Sequence, residues 1–152
     1  MSKKCNEIQI LILVPSRELA QQIEQVTRKM GAGHKVNAVY GGRSGSEDKI
    51  DLKHRPAILI GTPGRVADRI RRNHFSLEHI HTLVLDEYDK ALEIGFEKEM
   101  SEVISVLTSV NQRVLTSATS YAKIHDFIGL KKPVFINYVG ELTSQLKVKI
   151  II

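Results

Sequence analysis

The stretch Leu83-Val84-Leu85-Asp86-Glu87-Tyr88-Asp89 decides how the chain is read. Three aliphatic residues without polar alternation suit a strand covered on both faces, as in a parallel sheet. The run ends in two carboxylates. Bare carboxylates are costly to bury, so Asp86 and Glu87 belong where the strand emerges. In an open α/β sheet that edge is where ligands bind. An Asp there can hold Mg²⁺, directly or through water, and the adjacent Glu can orient and deprotonate a water beside a bound phosphate. The same pair can instead cap the helix that follows. This stretch alone leaves both readings open.

Upstream, Ile8 to Val14 reads as a buried strand broken by Pro15-Ser16. Ser16 can cap a helix whose apolar face is Leu19, Ile23, Val26 and Met30, closed by Gly31 and Gly33. Val36 to Tyr40 is a second strand, stopped by Gly41-Gly42, and a polar segment with helical potential runs through Asp51. Ala57 to Ile60 is a third strand. Thr62-Pro63 then opens a helix, with an N-cap residue followed by Pro at the first helical position, ending near Asn73. Downstream of Asp86, the spacing of Phe96, Met100, Val103 and Leu107 predicts one amphipathic helix. Arg113 to Thr116 is a fifth strand running into Ser117-Ala118-Thr119. Ile124, Phe127 and Ile128 mark a short helix, and Val134 to Asn137 a sixth strand. Strands and helices alternating at this spacing predict an α/β fold, a mostly parallel sheet with helices on both faces.

The 152 residues make one domain, and a net charge of +5 with pI near 9.4 tilts the chain toward a polyanionic partner. No apolar run approaches bilayer length and no signal-peptide core follows Met1, which argues against a membrane partner. A lone Cys5 excludes an internal disulfide, in keeping with a cytoplasmic setting, or a nuclear one in a eukaryote.

Five loops follow strand ends and should share one rim: Pro15 to Ala20 (PSRELA), Gly41-Gly42, Thr62-Pro63-Gly64-Arg65, Asp86 to Asp89, and Ser117-Ala118-Thr119. Helix N-termini with free backbone N–H groups attract anions, and Arg17 and Arg65 stand beside two of them. Taken singly, Gly41-Gly42 is a tight turn and Thr62-Pro63-Gly64 a well-capped helix start. Taken in order, PSRELA, GG, TPGR, DEYD and SAT resemble the first RecA-like domain of DEAD-box RNA helicases, over about Ile8 to Tyr138.

The resemblance implies a function and a set of roles. Asp86 would serve the Mg²⁺ of bound ATP, and Glu87 would position and activate the attacking water. Asp89, with Ser117 and Thr119, would link the ATP site to RNA-driven domain closure. Arg17, Gly42, Thr62, Gly64 and Arg65 would touch the RNA sugar-phosphate backbone, giving sequence-independent, salt-sensitive binding. Arg69 and Arg72 extend the helix after Arg65 at helical spacing, as an RNA contact or a solvated basic face. The parent would be an ATP hydrolase that remodels RNA. The alternative is a non-catalytic RNA-binding or protein-interaction module built on the same shell.

Two departures stand out. Tyr88 replaces the family's Ala, and a large ring there is expected to crowd the metal carboxylates. The family's phosphate-gripping P-loop and its Lys belong before the strand at Ile8, and no Gly in the 152 residues is followed by Lys. The expectation is a first RecA-like domain (1–139) truncated before the P-loop strand, with 140–152 as the linker and first strand of a second domain. Such a chain by itself should hold ATP and Mg²⁺ weakly or not at all. In the resembled fold the P-loop strand lies between the strand before Ser117 and the strand Val134 to Asn137. Its loss would leave raw edges. The apolar segment Leu146 to Ile152 is expected to cover one of them, from this chain or from a second copy in a strand-swapped homodimer.

Overall fold

The computed structural model describes residues 7–30, 33–42, 55–119, 124–137 and 149–151. The polar segment through Asp51 and the linker at 140–144 lie outside them. The elements run β1 (Ile10–Leu13), α1 (Arg17–Lys29), β2 (Val36–Val39), β3 (Ile58–Gly61), α2 (Pro63–Arg71), β4 (Thr82–Leu85), α3 (Tyr88–Ile94), α4 (Glu97–Ser105), β5 (Gln112–Ser117), a 3-10 turn (Asp126–Ile128), β6 (Phe135–Asn137) and β7 (Lys149–Ile151). The strands form a single sheet in the order β2-β3-β1-β4-β5-β7-β6.

The first five strands pair in parallel, in step from Ile10↔Ile58 and Ile10↔Thr82 on one level to Leu13↔Gly61 and Leu13↔Leu85 on the next edge. Alternation along each strand sends residues to opposite faces, and two apolar clusters result. Leu11, Leu13, Leu59, Leu83, Leu85 and Leu115 share one cluster with Val66 and Ala67 of α2 and Met100, Val103 and Ile104 of α4. Ile58 and Ile60 share the other with Val36, Ala38 and Ala20 of α1. Helices therefore cover both faces, as the apolar strands require.

Several expectations change in detail. The helix expected over Phe96 to Leu107 is present as α4, and the helix after Asp86-Glu87 is a separate one, α3, which ends where Gly95 takes φ +95 at its C-cap. Only Gly accepts that backbone cheaply, so the break is written at Gly95. On α1, Leu19 and Ile23 reach the core while Val26 and Met30 stay 52% and 76% exposed, because the sheet beneath the helix ends at β2. Arg69 is 2% exposed, its Nη1 lying 3.1 Å from His74 Nδ1, so it belongs to no solvated basic face.

The sheet carries one antiparallel strand within its interior. β7 lies between β5 and β6, with Leu115↔Ile151, Thr116↔Ile150 and Ser117↔Lys149 on one side and Phe135↔Ile151 to Asn137↔Lys149 on the other. The tail segment expected to cover one edge instead joins two, and it does so within its own chain.

At the end of β3, Gly61 is required by space. A Cβ there would meet Val39 O at 2.7 Å and Val66 Cγ2 at 2.6 Å. The carbonyl is part of β2 and cannot step aside without unpairing the sheet. Gly61→Ala is expected to lower unfolding stability by about 1–3 kcal/mol, read as a shifted urea midpoint with an unchanged m-value.

Candidate functional site

The parallel register brings the five loops to one rim, at the carboxyl ends of β2, β3, β1, β4 and β5 in that lateral order. On the β4–β5 half, the Asp86 N–H donates to Leu13 O at 2.9 Å, which fixes where β4 lets go of the sheet. Glu87 then turns through φ 49, ψ 49, left-handed for a side chain that rarely adopts it. A backbone of this kind costs of order 1–3 kcal/mol and persists only where neighbours hold it. Thr116 is such a neighbour. Its hydroxyl accepts the Glu87 N–H at 3.0 Å and donates to Asp86 Oδ1.

Asp89 sits one step further on, in the first turn of α3, and its Oδ2 accepts the Thr119 N–H at 3.2 Å. The Ser117 hydroxyl donates to Thr119 O at 3.0 Å and also lies 3.2 Å from the Thr119 N–H. Two hydrogen-bonded sets thus sit at this end of the sheet, each joining chain positions about thirty residues apart: Asp86 and Glu87 with Thr116, and Asp89 with Ser117 and Thr119. Thr116, which its sequence marks only as a strand residue, anchors the first of them.

Tyr88 does not crowd this group. Its ring is 1% exposed and lies in the core cluster, edge-on to His125 at 6.4 Å between centroids. His125 is in turn 2.9 Å from Glu97 and edge-on to Phe127. The helical turn at Tyr88 points the ring inward while Asp86 and Glu87 remain at the edge, which corrects the expectation of a clash. Burial pushes the Tyr88 phenol up to about 12, with the His125 backbone as its near polar neighbour.

On the other half of the rim, Ser16 Oγ caps α1 by accepting the Leu19 N–H at 3.2 Å, as its sequence position predicts. Arg17, the first residue of that helix, reaches Gly42: a Cβ on Gly42 would lie 3.6 Å from Arg17 Nη1. Arg17, Glu18, Gln21, Tyr40, Gly41 and Gly42 line a cleft of about 340 Å³. Arg17 is held by Glu18 at 2.6 Å, and the guanidinium draws the Glu18 carboxyl below its usual range. Gly42 has φ +91, so its backbone lies open in a way a bulkier residue would resist.

Thr62 precedes α2 without making a side-chain capping bond, and Pro63 fills the first helical position. Arg65 lies 3.7 Å from Asp68, which also accepts from Arg72 Nε at 2.8 Å. The Arg72 hydrogen bond is the main reason the Asp68 carboxyl is held below its usual range, and the charges of Arg72, Arg69 and Arg65 add to it. A Cβ added to Gly64 would lie 4.0 Å from the Phe96 ring, ordinary contact range.

The carboxylates suit a hard divalent cation only in part. Among the described residues no group of three or more His, Cys, Asp or Glu could hold a metal. Mg²⁺ commonly takes one or two carboxylates, keeps several waters and completes its shell with substrate phosphates. One carboxylate at the rim fits that style of binding, and a closed protein cage does not. Among the described residues no helix is long and apolar enough to cross a membrane.

A parallel α/β sheet with this rim is the RecA-like architecture, seen in solved structures of helicases. The yeast DEAD-box splicing factor Prp28 superposes with a TM-score of 0.68 at 31% identity, over 75% of this chain and 28% of that one. A hypothetical ATP-dependent RNA helicase from Sulfolobus tokodaii gives 0.71 at 27% identity, over 80% of this chain and 36% of that one. The family model for DEAD/DEAH box helicases matches residues 1–127, and the chain belongs to that family. The ATP-dependent RNA helicase DRS1 of Eremothecium gossypii is 40% identical over 139 residues, 88% of this chain and 19% of that protein. The DEAD-box ATP-dependent RNA helicase CshA of Geobacillus kaustophilus is 39% identical over 118 residues, 76% of this chain and 25% of that protein. The chain thus spans about a fifth to a quarter of the curated relatives it matches.

Proposed function

We propose that this chain is the part of an ATP-dependent RNA helicase that supplies the Mg²⁺-serving and water-activating carboxylates together with half of the RNA groove. The observation that carries this reading is that Asp86 and Glu87, held by Thr116, and Asp89, held to Ser117 and Thr119, stand at the same rim as Arg17, Gly42, Thr62, Gly64 and Arg65. When bound, ATP with Mg²⁺ supplies the phosphoryl group and the charge that neutralises it. The chain's own residues do the rest. Asp86 offers carboxylate oxygen to the cation or its waters. Exposed Glu87, beside it, orients a water and takes its proton. Asp89 ties this turn to the backbone of Thr119, so movement after β5 reaches the carboxylates.

On the other half, Arg17 and Arg65 meet phosphates while the open backbone at Gly42 and the Thr62 hydroxyl contact sugar-phosphate groups without reading bases. The setting is cytoplasmic, or nuclear in a eukaryote. Exchange of β7 between two copies would form the same strand pairs as those within one chain, giving the swapped homodimer. Tyr88, buried in the core, lends no support to the non-catalytic alternative.

The phosphate grip is assigned to a segment other than these 152 residues, because no Gly here is followed by Lys. Titrating a fluorescent ATP analogue with Mg²⁺ onto the chain is expected to show no binding up to millimolar nucleotide. Micromolar binding abolished by Asp86→Asn would place a complete phosphate site within the chain and overturn that assignment.

A further inference from the structure

We infer that Thr116 is a positioning residue for the carboxylate pair, acting through Asp86 and Glu87; this rests on the function proposed above. The geometry begins with register. β4 and β5 run parallel with Leu85 opposite Leu115, so the next residues, Asp86 and Thr116, are level where β4 leaves the sheet. Thr116 remains in strand conformation while Asp86 and Glu87 turn away. A side chain on the strand that continues is therefore the nearest fixed object to the turn.

A hydroxyl has one proton to give and two lone pairs to receive. Thr116 uses both functions on adjacent residues, giving its proton to Asp86 Oδ1 and receiving the Glu87 N–H at 3.0 Å. Two consequences follow. The first is that one carboxylate oxygen of Asp86 is already engaged by a neutral donor, so Oδ2 is the oxygen left to face a cation or its water. The second concerns Glu87. Its backbone sits at φ 49, where a non-glycine residue is strained, and the bond from its N–H to a strand-held oxygen keeps it there. The direction in which the Glu87 side chain leaves the rim is set by that φ and ψ. Thr116 thus acts on both carboxylates through the two hydrogen bonds of its hydroxyl.

Residue type matters here in a way strand propensity does not explain. Val would fill the same β-branched space and pair equally well in the strand, yet it could neither donate to Asp86 nor accept from Glu87. Thr116 is also held from the other side of β5, pairing in register with Ile150 of β7. A residue so placed cannot follow the turn if the turn relaxes. The bond therefore acts as a fixed post.

The test uses the 152-residue chain, comparing wild type with Thr116→Val and Thr116→Ser by NMR. Amide hydrogen exchange at Glu87 reports the turn, and Mn²⁺, a paramagnetic stand-in for Mg²⁺, reports the oriented carboxylates by broadening nearby signals. Thr116→Val is expected to speed Glu87 exchange about fivefold or more, the change from losing one ordinary hydrogen bond, with exchange elsewhere in β5 unchanged. It is also expected to need several-fold more Mn²⁺ to broaden the Asp86 and Glu87 signals. Thr116→Ser should match wild type in both. A valine variant indistinguishable from wild type, or a serine variant resembling valine, overturns the assignment. Should the valine chain fail to fold, Thr116→Ser decides alone: retained protection and Mn²⁺ response support the role, and loss of either refutes it. Wild type that shows no Mn²⁺ response at Asp86 and Glu87 agrees with the weak metal holding expected of this chain without nucleotide, and the exchange comparison then decides the role of Thr116 alone.

Discussion

If the proposed function holds, Glu87→Gln in a helicase carrying this segment is expected to lower ATP turnover by about 10²–10⁴-fold, the range removed with a positioned general base. The substitution keeps size and hydrogen-bonding capacity but removes the ability to take a proton at neutral pH. Glu87 is exposed, and its fixed contact runs through its backbone N–H to Thr116, which Gln retains. Folding and RNA affinity should therefore be unchanged. Measuring steady-state turnover beside RNA binding separates the two: activity lost with binding kept is the expected pattern. Turnover within a few-fold of wild type would move the base to another residue.

The second large effect concerns stability. Tyr88→Ala is expected to cost about 3–5 kcal/mol of unfolding free energy, because it empties a large fully buried ring site that neighbours fill only partly. The ring is 1% exposed, among core residues of α3 and α4 and beside His125. Tyr88→Phe should behave oppositely. The buried hydroxyl has the His125 backbone near it but meets no good hydrogen-bond geometry there, so its removal is expected to be close to neutral. The pH dependence has a definite sign. The phenol titrates near 10 when unfolded and is raised to about 12 when folded. The folded state therefore binds the proton longer, and this contribution to stability is complete below pH 10 and lost as pH rises through 12. Denaturant melts across pH 9 to 12 should show a downward slope that is shallower in Tyr88→Phe. Identical slopes would mean that the hydroxyl is not held in an apolar setting.

The same residue shows what a sequence can and cannot convey. The order of motifs made the family legible, and continuous apolar runs such as Leu83-Val84-Leu85 made the parallel strands legible, since both are local patterns. Ser16 was legible as an N-cap for the same reason. Tyr88 was misread because its neighbours in sequence are carboxylates, whereas its neighbours in space come from a segment nearly forty residues on. Thr116 was passed over because a Thr inside a strand looks like ordinary strand composition. Only the β4–β5 register reveals what its hydroxyl faces. Helical spacing alone left Arg69 open as an RNA contact or part of a solvated basic face, yet its guanidinium is buried beside His74, five residues on. The place of β7, between β5 and β6, is a long-range pairing that local pattern can anticipate only in outline.

These features leave one rim with two kinds of chemistry, carboxylates after β4 beside the hydroxyls after β5, and arginines after β1 and β3 beside the glycines after β2. If the cationic half grips RNA through phosphates, its contribution is electrostatic and must fall with salt. The most direct measurement is therefore titration of the 152-residue chain with fluorescent single-stranded RNAs of unrelated sequence at several salt concentrations. The account predicts Kd values of about 10⁻⁴–10⁻⁶ M that are alike for all sequences, with log affinity falling linearly against log salt. Replacing both Arg17 and Arg65 by Ala should weaken every RNA equally and reduce that slope by about 1.4, close to 0.7 for each phosphate contact removed. Binding that depends on sequence, or a slope unchanged in the double variant, would contradict the assignment of this rim to the RNA backbone.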